Sequence, residues 1–279
     1  MKFILQQEKL VELLEKLSLV DVFPSSIIGV KKGENGKPVM FSIQREQSGR
    51  IIRYLKVNDT FFDKIETPKK QEAIDIDAVK ISKAIKKFAG RTVEVATIDD
   101  KLSIKGVFED IDDKDKVVNK RELALHFNYS EPQNVTSQLS IKFQDGTPHV
   151  GKDNKVPLSV ETQVNLEDLK MAVELASVFD TEYFSFSLPK KDKLTIRVGN
   201  LRKFSEFLTW QPKFKLTAGE EYKSVYTFGF KQLVDVLRKD DITMRTASGA
   251  PAWVYEITDD YTLGVLIPPH VPTEEEVAV

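Results

Sequence analysis

No cysteine occurs in the 279 residues, so disulfides, thiolate metal sites and cysteine nucleophiles are excluded, and the reducing interior of a cell suits the chain. Histidine is scarce. His126, His149 and His270 fall on a strand, a polar linker and the C-terminal tail, without a second ligand at metal-binding spacing, so no metal or other cofactor is expected. Neither sign of charge dominates: 41 Lys and Arg stand against 43 Asp and Glu, a net charge of −2. A basic tail that coats nucleic acid or anionic lipid is thereby excluded, and any nucleic-acid surface must come from how charge is arranged. Long apolar runs are missing too. Met1-Lys2-Phe3-Ile4-Leu5 gives way at once to Gln6-Gln7-Glu8-Lys9, far short of the roughly 7–15 apolar residues of a signal peptide. No run approaches the ~18 needed to span a bilayer, and a cytoplasmic protein is expected.

Catalytic signatures are equally thin. There is no G-x-S-x-G and no G-x-G-x-x-G. Gly33-Glu34-Asn35-Gly36-Lys37-Pro38 fails as a phosphate loop, because Pro38 stands where Ser or Thr must follow the lysine; its turn formers make it a hairpin tip. The acidic run Glu109–Asp115 fails as a calcium loop, with Asp115 at the position that needs Gly and Arg121 at the one that needs Glu. The chain is therefore expected not to be an enzyme.

Four segments do carry helical periodicity: Gln7–Leu17, Asp77–Phe88, Leu166–Phe179 and Gly229–Lys239. Asp77 and Asn165 stand at N-cap positions, and Gly90 follows the second segment. Alternating runs mark strands at Thr92–Thr97, Lys101–Val107, Leu123–Phe127, Tyr183–Leu188, Leu194–Val198, Tyr226–Phe230, Asp241–Thr246, Ala252–Ile257 and Leu263–Ile267. Short helices among many short strands give an α+β class with antiparallel sheets. The first and third helices start about 159 residues apart and the second and fourth about 152 apart, so the chain reads as two copies of one plan. The polar stretch between them divides the chain into 1–128, a connector 129–155, and 156–279.

The second helix carries the strongest charge pattern. At about 100° per residue, Lys80, Lys83 and Lys87 fall within about 60° of one another, opposite Ile81, Ile85 and Phe88, with no acid from Ala78 to Phe88. The fourth helix repeats this in part with Lys231, Arg238 and Lys239, diluted by Asp235. The first offers Lys9 and Lys16 beside Glu12, and the third only Lys170 among Glu167, Asp168 and Glu174. Lysines without base-reading Asn, Gln or aromatic neighbours suit phosphates and leave sequence unread.

The C-terminal run Ala250-Pro251-Ala252-Trp253-Val254-Tyr255-Glu256-Ile257, then Leu263-Gly264-Val265-Leu266-Ile267-Pro268 and the acidic Glu274-Glu275-Glu276, resembles the end of the sliding clamps of the proliferating cell nuclear antigen type. Asp77–Gly106 is similar to the second helix and hairpin of the same family, and the two-half layout matches across nearly the whole chain. The resemblance implies two similar domains of the DNA-clamp fold, with antiparallel sheets outside and four helices lining the inner face of a ring, commonly a trimer, that encircles duplex DNA. It implies a processivity factor that tethers a DNA polymerase and recruits the clamp loader and other replication and repair proteins. Lys9, Lys16, Lys80, Lys83, Lys87, Lys170, Lys231 and Arg238 would then face DNA. Partners carrying a Gln-aliphatic-aromatic-aromatic motif would dock on Met40, Ile43, Pro251, Val265, Leu266, Ile267 and Pro268. Subunits would pair through Leu123, Leu125 and Phe127 of one strand against Leu194–Val198, with Thr195 and Arg197, of another. The connector is longer than the family norm; the net charge is near neutral where many such clamps are strongly acidic and the third helix is poorly basic, and these two facts suit an archaeal or viral clamp or one subunit of a mixed ring. The rival reading is a β-rich protein-interaction scaffold that never encircles DNA.

Overall fold

The computed structural model describes residues 1–19, 22–46, 51–86, 90–111, 117–132, 141–144, 147–150, 155–178, 183–189, 193–199, 207–226 and 230–270. The chain folds as two compact units, one of residues 1–44, 54–137 and 257–263, the other of 45–53, 138–256 and 264–279. Along the first part of the chain run β1 (Lys2–Gln6), α1 (Gln7–Ser18), β2 (Ser26–Lys32), β3 (Pro38–Arg45), β4 (Ile52–Val57), β5 (Lys64–Ile65), β6 (Glu72–Ile76), α2 (Ala78–Ile85), β7 (Gly90–Ile98), β8 (Lys101–Ile111) and β9 (Val117–Asn128). Next come β10 (Lys142–Gln144), β11 (Thr147–Val150) and β12 (Val156–Pro157). The rest holds β13 (Val160–Asn165), α3 (Leu166–Val178), β14 (Phe184–Leu188), β15 (Thr195–Gly199), β16 (Phe207–Trp210), β17 (Phe214–Ala218), β18 (Tyr222–Tyr226), α4 (Phe230–Val236), β19 (Asp241–Thr246), β20 (Ala252–Ile257) and β21 (Tyr261–Ile267). From β1 to β9 and from β13 to β21 the order is the same: strand, helix, five strands, helix, three strands.

In the first unit β5-β1-β7-β8-β9 form an antiparallel sheet, and β6, β2 and β3 lie side by side in another. Leu10, Leu13, Leu14 and Leu17 of α1 and Ile81 and Ile85 of α2 are buried, as apolar residues at three- and four-residue spacing require. In the second unit β16-β15-β14-β18 form a four-stranded sheet, and β17, β13, β19 and β20 lie side by side. Leu166, Leu169, Val173 and Ala176 of α3 and Leu233, Val234 and Leu237 at α4 fill its core. Two glycines admit aromatic rings onto a sheet: a Cβ on Gly29 would lie 2.4 Å from the Phe41 ring, and one on Gly264 would lie 2.2 Å from that of Trp253.

Of the strand expected at Tyr226–Phe230, Tyr226 closes β18 (Tyr222–Tyr226), whose buried middle residue, Ser224, hides the alternation, Phe230 opens α4, and 227–229 lie outside the described residues. Two expectations change. Helix α4 stops at Val236 rather than Lys239, because Oε2 of the buried Glu256 on β20 accepts the backbone N–H groups beyond it, those of Arg238 at 2.9 Å and Lys239 at 3.1 Å. The stretch 129–155 carries structure of its own: β10 and β11 pair antiparallel, β11 pairs in turn with β12 just past the stretch, Ile141 and Val150 are buried, and Ser130 is bridged to Asp75.

Candidate nucleic-acid interface

Helix α2 begins where the Asp77 carboxylate accepts the N–H of Lys80 at 2.8 Å. Its apolar stripe fixes the opposite face outward, so Lys80 and Lys83 are exposed, and neither has an ion-pair partner among the described residues. Lys86, also exposed, is taken by Glu15 at 2.7 Å. Lys87 lies outside the described residues.

The lysines of α1 point elsewhere. Lys9 Nζ donates to the carbonyl of Phe61 at 3.1 Å, sits 5.0 Å from the centre of the Phe61 ring and lies 3.7 Å from Asp260. Lys16 is 1 % exposed, with its ammonium 4.4 Å from the centre of the Tyr261 ring and 3.1 Å from Glu12. Both stand on the flank of the leucine stripe, where a long stem covers apolar surface and the charge meets an aromatic face. Lys16 is thus corrected from a phosphate contact to a packing residue. The residues that α1 leaves at least partly open are Gln7, Glu8, Lys9, Val11, Glu12 and Glu15, a face on which three acids stand against one lysine.

In the second unit Lys170 is half-buried and paired with Glu167 at 2.9 Å. The outer side of α3 otherwise shows Glu174, Met171 and Val178, the last 75 % exposed. Lys231 lies in α4, and its side chain is outside the described set. Arg238 is exposed beyond the end of α4, and its Nη1 donates to the carbonyls of Asp235 at 2.9 Å and Leu237 at 3.1 Å. Lys239, beside it, is exposed. Of the eight cations named from sequence, Lys80, Lys83 and Arg238 are exposed in the described structure.

The positions named for partner peptides divide by burial. Met40 and Ile43 in the first unit and Val265 and Ile267 in the second are buried core residues. Pro251, Leu266 and Pro268 keep part of their surface open.

The sheet edges correct one expectation. Strand β15, with Thr195 and Arg197, is hydrogen-bonded to β14 on one side and β16 on the other, so it has no edge to offer a second chain. At the far edge of that sheet, β18 is closed: the carbonyl of Lys223 accepts the N–H of Gly249 at 3.1 Å and that of Val225 the N–H of His270 at 2.7 Å. The edge left without a strand neighbour, among the described residues, is β16. Its counterpart in the first unit is β9, paired along its length to β8 alone. Leu123 on β9 is 38 % exposed, Leu125 and Phe127 are half-buried, and Leu123 and Leu125 line a small apolar cleft with Gln7, Ile85, Val93 and Ile104. Sequence periodicity found β9 but not β16, whose Phe207-Leu208-Thr209-Trp210 lacks alternation.

Among the described residues no group of His, Asp and Glu is placed to hold a metal ion, and no helix is long and apolar enough to cross a membrane. No protein-family model and no curated protein matches the sequence. Solved structures do match. A PCNA of A. fulgidus with the C-terminal region of FEN-1 bound superposes with a TM-score of 0.70 at 12 % identity, covering 98 % of this chain and 99 % of that one. PCNA from Thermococcus kodakaraensis gives 0.67 at 14 % identity over 96 % and 99 %, and that of Entamoeba histolytica 0.72 at 9 % over 97 % and 98 %. The chain has the fold of the PCNA sliding clamps.

Proposed function

We propose that this protein is a DNA sliding clamp, a ring of several copies that holds duplex DNA by enclosure, tethers a polymerase and has no catalytic step of its own. The observation that carries the reading is the exposed Lys80 and Lys83 on α2, without an ion-pair partner among the described residues, in a chain that superposes on a clamp over 98 % of its length. Phosphate contacts through lysine are sequence-independent and break and reform readily with salt, which is what sliding needs. Enclosure supplies retention, so few such contacts suffice.

Assembly follows from the edges. A β9 edge and a β16 edge on every copy form a heterologous contact, and such contacts build a ring when the rotation closes. Leu123 would be covered there. For partners, the A. fulgidus clamp with its bound FEN-1 segment suggests that peptides dock on this chain too. In the second unit Pro251, Leu266 and Pro268 supply open apolar surface, beside the buried Val265 and Ile267 of β21, while Met40 and Ile43 are core residues of the first unit. DNA polymerase and the clamp loader are the expected classes of partner.

The acidic face of α1 favours the second reading, a scaffold that does not enclose DNA, and one experiment separates the two. Clamp loaded on nicked circular DNA should stay bound and run off after linearisation, and charge removal at Lys80, Lys83 and Lys87 should lower loading while the assembly mass stays unchanged. Equal retention on circular and linear DNA would refute enclosure.

A further inference from the structure

The first unit holds a cleft of about 580 Å³ that no helix lines. Its floor is Val39 and Phe41 of β3 with Tyr54 of β4; Gly29, lacking a Cβ, lets the Phe41 ring lie against β2, and the Lys31 ammonium stands 5.2 Å from the centre of that ring. One wall is the hairpin tip between β2 and β3, where the Lys37 carbonyl accepts the N–H of Gly33 at 2.7 Å and Asn35 Oδ1 accepts that of Lys37 at 3.0 Å. Another wall is the turn that begins at Asn58. The carbonyl of Asp259 accepts Asn58 Nδ2 at 2.8 Å and Thr60 Oγ1 at 3.2 Å, and that of Asp260 accepts the Asn58 N–H at 2.8 Å. Lys37 Nζ, 2.8 Å from Asp59, ties the tip to this turn, so both walls are fixed.

Lys32 at the end of β2 and Lys56 on β4 also line the cleft; both are exposed, and neither has an ion-pair partner among the described residues. Strand β3 lies between theirs, which separates the two backbones by about 10 Å. Burial pushes the Tyr54 hydroxyl up, so it keeps its proton and can donate. This is a poor grip for phosphate. Glu34 and Asp259 share the lining and would repel a group that concentrates its charge on one phosphorus. Carboxylates on one side of an extended peptide recur about every 7 Å, and the long lysine stems can meet them singly, with an apolar side chain seated on Val39 and Tyr54 between them.

We propose that this cleft docks an acidic segment of a partner protein, an extended stretch with Asp or Glu on either side of an apolar residue. Its residues all belong to the first unit, whereas Pro251, Leu266 and Pro268 belong to the second, and the site stands whether or not the assembly encloses DNA. A random peptide library displayed on phage is selected on the full-length wild type and counter-selected on K32E/K56E, which removes peptides that bind elsewhere. Both lysines are exposed, so the variant should unfold at the wild-type temperature. The surviving peptides should be acidic, and a labelled survivor followed by fluorescence anisotropy should bind K32Q/K56Q more weakly. One exposed ion pair is worth up to about fivefold in affinity, so the loss should lie between roughly fourfold and 25-fold and shrink as salt rises. K69Q/K70Q, which changes exposed lysines of the same unit outside the cleft, should bind as wild type does. An absence of survivors, survivors without acidic residues, or an equal loss in K69Q/K70Q would overturn the inference. Inorganic polyphosphate binding more tightly than every survivor, with the same dependence on Lys32 and Lys56, would overturn it too and assign the cleft to phosphate. None of these results bears on the clamp reading.

Discussion

Replacing Lys16 separates packing from phosphate contact, because its ammonium is spent inside the first unit on the Tyr261 ring and Glu12. Lys16→Ala removes three buried methylenes, at about 0.8 kcal/mol each, or roughly 2.4 kcal/mol. Loss of the cation–ring contact adds about 0.5–1 kcal/mol. Glu12, 29 % exposed in its side chain, rehydrates once its partner is gone, so the ion pair adds little. The total is about 3 kcal/mol for Lys16→Ala, against about 1 kcal/mol for Lys16→Met, which keeps the stem. Urea unfolding at fixed protein concentration measures both, since self-association makes apparent stability concentration-dependent. Duplex binding of Lys16→Met should keep the wild-type salt slope. A slope reduced by about 1 with an unchanged urea midpoint would place Lys16 on the DNA and refute its burial as the deciding fact.

Leu123→Lys puts a charge on the open β9 edge, and light scattering should then give 31.7 kDa, while wild type at the same concentration gives a multiple of it; an unchanged mass would remove β9 from the assembly contact. Burial pushes the Glu161 carboxyl up, but hydrogen bonds from Thr217 and Arg245, the Arg245 charge and the Tyr255 hydroxyl outweigh it and hold it below its usual value. A carboxylate whose folded value lies below its unfolded one stabilises the fold fully above the unfolded value, about 4.3, and loses that contribution as pH falls through the folded value. Glu161→Gln should therefore lower stability at pH 7 and flatten its decline in acid, seen in thermal unfolding between about pH 6 and pH 3; parallel curves for variant and wild type would contradict the assignment.

Helices were legible in the sequence because their cores are leucine and isoleucine at helical spacing, and all four lie where periodicity puts them. The hairpins β7–β8 and β19–β20 were legible for the matching reason, alternation bounded by turn formers. Much of the remaining sheet was not. Strands β2, β3 and β4 are buried on both faces over much of their length, so Ile28-Gly29-Val30 and Met40-Phe41-Ser42-Ile43 show no alternation to read. Strand β17, Phe214-Lys215-Leu216-Thr217-Ala218, does alternate, but it is five residues long and open on nearly every one, so its period marks no buried face. At the site the limit was different in kind. A helical wheel places Lys9 and Lys16 on the polar side of α1, yet which lysine meets solvent is decided by Phe61 and Tyr261, aromatics about 50 and 245 residues away in sequence. Glu256 could not be singled out either, since it reads as one more carboxylate until its two N–H donors are seen.

The uneven charge of the four helices, which by itself favours a scaffold, is compatible with enclosure for a physical reason. A protein that holds DNA by contact alone needs many phosphate contacts, since each contributes only modestly at physiological salt. A closed ring has no such requirement, because leaving the DNA means opening a subunit contact. On the proposed reading, lysines of α1 were free to become packing residues and the faces of α1 and α3 to turn acidic, provided α2 stayed basic. The same logic fixes where damage should tell: at the β9 and β16 edges a substitution should abolish retention outright, whereas at Lys80 or Lys83 it should only weaken it.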